Sequence, residues 1–198
     1  MVDKKLTLYV IIVASIVNFL VAFLSSSVIV ALPVIAVDLG LSNIVQNWIS
    51  NIFLLTVAVC SVPCGYIVSK YGIKRCMIIG ILISLISCIG CTLSFSAETL
   101  ISFRILQGIG CSLMNVSATL FVVEPLPIEE RGKGFGISIA AVYIGLTLAP
   151  MISGFLTYHM DGWSGSIGRA GSFVFCFVYG YTRSYRICLH SIRGRLLF

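Results

Sequence analysis

Charge is scarce in this chain, and negative charge is scarcest. Seven Asp and Glu residues serve 198 positions against thirteen Lys and Arg; charged residues make up 10% of the total and hydrophobic ones 59%. No water-soluble domain of this length needs that much apolar surface. Histidine is nearly missing, with two copies. The eight cysteines therefore have few partners for a metal site. Cys60/Cys64 and Cys88/Cys91 share helix faces in apolar runs with no His or carboxylate beside them. They read as small packing residues rather than as a metal centre or a disulfide framework. No His, Asp, Glu or Cys cluster in the spans supports a membrane enzyme, which stays a remote option.

The gaps between charges are long. None occurs from Leu6 to Val37, Leu39 to Ser69, Cys76 to Ala97, Ile105 to Val123 or Gly134 to Met160. Each gap holds the roughly 20 apolar residues that cross a bilayer as a helix. Five spans are expected, near 7–29, 45–67, 76–95, 99–123 and 136–157. The fold class that follows is all-α, a polytopic membrane bundle of five to six transmembrane helices. The first span is too long, and too polar at its end, for a cleaved signal, and is read as staying in the membrane.

A net charge of +6 could suggest nucleic acid, but the positions of the cations argue against it. Lys4 and Lys5 precede the first span, Lys70, Lys74 and Arg75 follow the second, and Arg131 and Lys133 follow the fourth. The alternate loops carry no Lys or Arg. This is the positive-inside pattern with a cytoplasmic N-terminus. The partners implied are a lipid bilayer and no nucleic acid, and the location is the cell membrane.

Local signals set the helix ends. Ala31-Leu-Pro33 is expected to end the first helix. Ser42 or Asn43 can cap the second, with Asn43 and Gln46 at capping-box spacing. Ser96 caps the fourth, with Glu98 in its first turn, and Glu124-Pro-Leu-Pro127 stops it. Asn18 in the first span either lines a cavity or bonds to a neighbouring helix.

Arg104 is the only formal charge well inside a predicted span. Such a charge costs roughly 2.5–3.5 kcal/mol on insertion scales, rarely faces lipid and is a functional candidate by default. Arg104, Gln107, Gly108, Cys111 and Asn115 fall at helical spacing on one face. Two amides and a cation on one face read as a cavity wall. Gly108 and Gly110 permit close helix approach, and no preceding strand supports a dinucleotide site.

Gly65-Tyr-Ile-Val-Ser-Lys-Tyr-Gly-Ile-Lys-Arg75 sets two glycines seven apart around an expected tight turn crowded by cations. Here the chain resembles the major facilitator superfamily. Gly65, Lys70, Gly72, Lys74 and Arg75 match the loop motif that follows that family's second span, and Ser69 stands where the family has an aspartate. The resemblance implies that this loop gates the cytoplasmic side, with Ser69 weakening its charge lock. Arg104-x-x-Gln107-Gly-x-Gly110 is similar to the fourth-span motif of the drug:proton antiporter branch and implies a part for Arg104 in proton coupling. Glu129-Glu-Arg-Gly-Lys133 is similar to the link that follows that span. In the fifth span Gly145, Pro150 and Gly154 match the antiporter helix motif, with Ala149 and Ser153 in place of glycines. That pattern implies export and a helix interface that rocks.

Motif resemblance covers about Ser25 to Trp163, and residues 1–163 are read as the N-terminal half of a facilitator-type transporter. Residues 164–198 form an atypical tail, either a short sixth span with an arginine-rich end or a frame-shifted, truncated end. The function implied is proton-coupled efflux of small, amphipathic compounds, powered by the proton gradient with no cofactor and no metal. Three arrangements stay open: a non-transporting fragment lacking its second half, a homodimer, and a small membrane partner or regulator.

Overall fold

The structure, a computed structural model, describes residues 4–38, 40–124 and 126–159. The tail from residue 164 lies outside the described residues. Five helices follow in order: α1 (Lys4–Asp38), α2 (Asn43–Tyr71), α3 (Ile73–Thr92), α4 (Ala97–Val123) and α5 (Ile128–His159). Among the described residues there is no strand. By length and composition, α2, α3, α4 and Ile128–Phe155 of α5 can each cross a membrane. α1 has 35 residues, about 50 Å at 1.5 Å per residue.

Several helix ends differ from expectation. α1 runs through Pro33 to Asp38. A proline removes one backbone donor, which membrane helices tolerate when neighbours re-satisfy the backbone. The turn comes instead at Gly40, whose φ of +60° lets Leu41 N donate to Ala36 O at 2.9 Å, a glycine C-cap. Ser42 caps α2, accepting from Val45 N at 3.4 Å. Gly65 lies inside α2 and does not bracket a turn. The break falls on Gly72 alone, which closes α2 and opens α3 with φ 89°. The link through Lys133 is helical, since α5 starts at Ile128 with Glu129 and Glu130 in its first turn, where acids complement the dipole. The capping of α4 by Ser96 is as expected, with Thr99 completing the box.

α4 is the hub. It packs on α1, α2 and α3 and touches α5, while α5 lies mainly along α1. Of its membrane window 56% is buried, against 17% for α2 and α5, so the last two present most of their apolar surface outward. All five helices feed one core: Val17 and Leu24, Phe53, Met77 and Ile81, Met114 and Ala118, and Ala149. Small residues make the crossings possible. A Cβ on Gly110 would stand 2.8 Å from Gly80 O and 2.5 Å from Ser84 Oγ, so α3 and α4 meet backbone to backbone.

Candidate functional site

Arg104 sits about two turns into α4 and is 1% exposed. Its Nη1 donates to Gln107 Oε1 at 2.9 Å. Gln107, also 1% exposed, passes the chain on: its Nε2 donates to Cys88 Sγ of α3 at 3.3 Å. The guanidinium lies 5.2 Å from the ring centroid of Phe53 on α2, within cation–π range. Its Nε is buried with no hydrogen-bond partner. The five described acids all lie at helix ends: Asp38, Glu98, Glu124, Glu129 and Glu130. The charge is therefore held by an amide, an aromatic face and thiols rather than by a carboxylate. Burial of a charge without an ion partner is costly, so this is a high-energy feature in the centre of the bundle.

Further along α4, Cys111 lies 3.8 Å from Ser84 Oγ, and that hydroxyl also reaches Met114 Sδ at 3.7 Å. Gly108 faces α2, where a Cβ would come within 2.8 Å of Thr56. Arg104, Gln107, Gly108 and Cys111 thus form a sealed seam between α2, α3 and α4. Arg104 therefore faces its own bundle rather than lipid.

Asn115 separates from that seam. It is exposed, as is Thr119 one turn on. By helix geometry it points within about 20° of Arg104, but it lies some 16 Å further along the axis. Phe53 and Cys88, which cover Arg104, do not cover that level. Of the stripe, Asn115 alone is exposed. Asn18 on α1 is half-buried. Periodicity in α4 gave the direction of these side chains. Phe53 and Cys88, which hold the cluster from other helices, left no local signal of that role.

The basic loop residues gather at one end of the bundle. Ser69 Oγ donates back to Gly65 O at 2.9 Å. Lys70 Nζ lies over Tyr66 and Tyr71, at 6.0 and 5.7 Å. Lys74 and Arg75 occupy the first turn of α3. On α5, Gly145, Ala149 and Ser153 are buried at successive turns, and Pro150 is exposed. A Cβ on Gly145 would come within 2.8 Å of Phe19 O and 3.1 Å of Ala22 Cβ. Gly154 is half-buried. The small-residue stripe is thus a seam to α1 inside the bundle.

The sequence from residue 14 to residue 184 matches the model of the Major Facilitator Superfamily, running past Trp163, where the motif resemblance was read to end. The chain is 32% identical over 134 residues to the riboflavin transporter RibZ of Clostridioides difficile (strain 630), a match covering 68% of this chain and 29% of that protein. It is 30% identical over 144 residues to the tetracenomycin C resistance and export protein of Streptomyces glaucescens, covering 73% of this chain and 27% of that protein. The chain therefore spans under a third of either relative. A crystal structure of a bacterial homolog to the human lysosomal transporter Spinster, inward-facing and unoccupied, superposes with TM-score 0.81 at 18% identity. That superposition covers 92% of this chain and 43% of the other, and it shows the fold.

Proposed function

The chain belongs to the major facilitator superfamily, and on that premise we propose that it is one bundle of an exporter that moves small, amphipathic compounds against inward proton flow. The observation that carries this reading is Arg104, a buried cation about two turns into α4 with no carboxylate partner among the described residues. A fixed charge in a low-dielectric interior changes the proton affinity of any acid that approaches it. Charges at this depth mark ion and proton paths. Gln107 orients it. The similarity to a tetracenomycin export protein supports outward transport.

The remaining parts follow. Asn115 and Asn18 contact the compound from the open side. The stretch from Gly65 to Arg75 controls the basic end, which the distribution of Lys and Arg puts in the cytoplasm together with the N-terminus. The seam of Gly145, Ala149 and Ser153 carries the rocking of α5 on α1. Facilitators place substrate between two bundles, so the working unit needs a second bundle, either from a longer chain or from a second copy. The proton gradient supplies the energy, with no cofactor and no metal. Ser69, in place of an acid, weakens the charge lock at the basic end.

The test is accumulation of ethidium, an amphipathic cation, and of riboflavin in cells that lack their own exporters. The chain is expected to lower accumulation of one of them, and a protonophore or Arg104→Leu to abolish the effect. A membrane-inserted chain that changes neither does not export as pairs of copies, and a chain joined to a second bundle that also changes neither overturns the exporter reading.

A further inference from the structure

Where α2 passes into α3 and α4 into α5, a cavity of about 730 Å³ opens at the end of the bundle. Its walls are of two kinds. Ile73, Leu120 and Phe121 give an apolar side, while Lys74, Arg75 and Arg131 give three cations against one carboxylate, Glu124. Ser69 is also in the wall, but its hydroxyl is turned back onto Gly65 O and brings no negative charge. Arg131 is braced across the α4–α5 link, its Nε donating to Leu126 O at 2.9 Å.

The start of α3 adds to this potential. Its N-cap is Gly72, with no side-chain cap bond, and its first turn holds no acid. The positive end of the helix dipole therefore adds to Lys74 and Arg75 rather than opposing them. Nothing would contact a Cβ on Gly72 within 4 Å, so the backbone there is open to a ligand.

We propose that this cavity seats the headgroup of an anionic phospholipid from the adjoining leaflet. The phosphate rests on Arg75, Arg131 and the first turn of α3, and the glycerol and first chain carbons rest on Ile73, Leu120 and Phe121. Two observations favour a lipid over a free anion. The cavity lies at the ends of helices long and apolar enough to cross a membrane, where headgroups would stand, and one wall is apolar. Basic pockets between membrane helices take anionic headgroups for this reason. A lipid held here ties the α2–α3 turn to the α4–α5 link. This site is separate from the α4 cluster and does not depend on what the chain transports.

The test is native mass spectrometry of the full chain released from bilayers of phosphatidylcholine with phosphatidylglycerol. One phosphatidylglycerol is expected to stay bound in preference to phosphatidylcholine. Arg75→Gln, at an exposed side chain, should weaken that retention roughly 5-fold. Lys133→Gln, an equal charge loss on the same end but outside the cavity, should leave it unchanged. Equal losses for the two variants would mean diffuse surface attraction and overturn the proposal. So would displacement of the lipid by millimolar inorganic phosphate, which would assign the cavity to a free anion.

Discussion

The Arg104 guanidinium and the Gln107 amide, one turn apart on α4, are joined by a hydrogen bond of 2.9 Å, and each side chain is 1% exposed. The pair is closed off from everything outside the bundle. Among the described residues, Gln107 is the only side chain shown both accepting from the cation and donating onward to α3. This makes the two residues one unit, with separable costs and functions.

Arg104→Leu removes a buried charge, which lowers the desolvation cost, but it orphans Gln107 Oε1, at about 1–3 kcal/mol for an unsatisfied buried acceptor. The single variant is expected to unfold at lower temperature in detergent. Arg104→Leu combined with Gln107→Leu should recover most of that loss, because paired replacement of buried polar partners is often close to neutral. Neither variant should transport. A double variant less stable than the single would show that the pair is not a unit.

At the α3–α4 crossing, Gly110→Val forces a side chain against Ser84 Oγ and Gly80 O. Overpacking of this kind costs about 1–3 kcal/mol, read as a fall in melting temperature. Gly136→Val, where nothing lies within 4 Å of a Cβ, is the control and should show little change.

Gly72→Ala tests the turn. With φ 89° and ψ 142°, this residue occupies backbone space almost reserved for glycine, and a side chain there costs about 1–3 kcal/mol. The loss should appear as reduced stability even though the position is exposed and uncrowded. Gly65→Ala, inside α2, should be neutral or slightly stabilising, since alanine is the better helix former.

The α1–α5 seam gives a contrast within one motif. Gly145→Val meets Phe19 O and Ala22 and should sharply reduce folded yield. Pro150→Ala, on the exposed face, should leave the fold intact and change only transport. Thermal stability and ethidium efflux measured on both variants separate the two outcomes.

Much of this was legible in the sequence because bilayers impose one simple rule. Charge gaps from Leu39 to Ser69, Cys76 to Ala97 and Ile105 to Val123 correspond to α2, α3 and α4. Ser96 announced the start of α4 by its capping chemistry. The family motifs pointed to the superfamily that the chain matches. What the sequence hid was set by neighbours at each depth. Pro33 looked like a stop because its local effect is disruptive, yet α1 continues to Asp38. Gly65 and Gly72 looked alike, but only Gly72 has a backbone that requires glycine. Arg104 and Asn115 share a direction, and only what stands opposite each makes one buried and the other exposed.

The central claim is spatial: on one helix, Arg104 is sealed inside the bundle while Asn115 is exposed, on the face we propose lines the transport path. The direct measurement is maleimide labelling of Asn115→Cys in native membranes, read site by site by peptide mass spectrometry. The substituted position should label, while Cys88 and Cys111, which flank the Arg104 cluster, should stay unmodified until the protein is denatured. Labelling of Cys88 and Cys111 as fast as position 115 would contradict the sealed cluster, and an unreactive position 115 would put that face against lipid rather than a transport path.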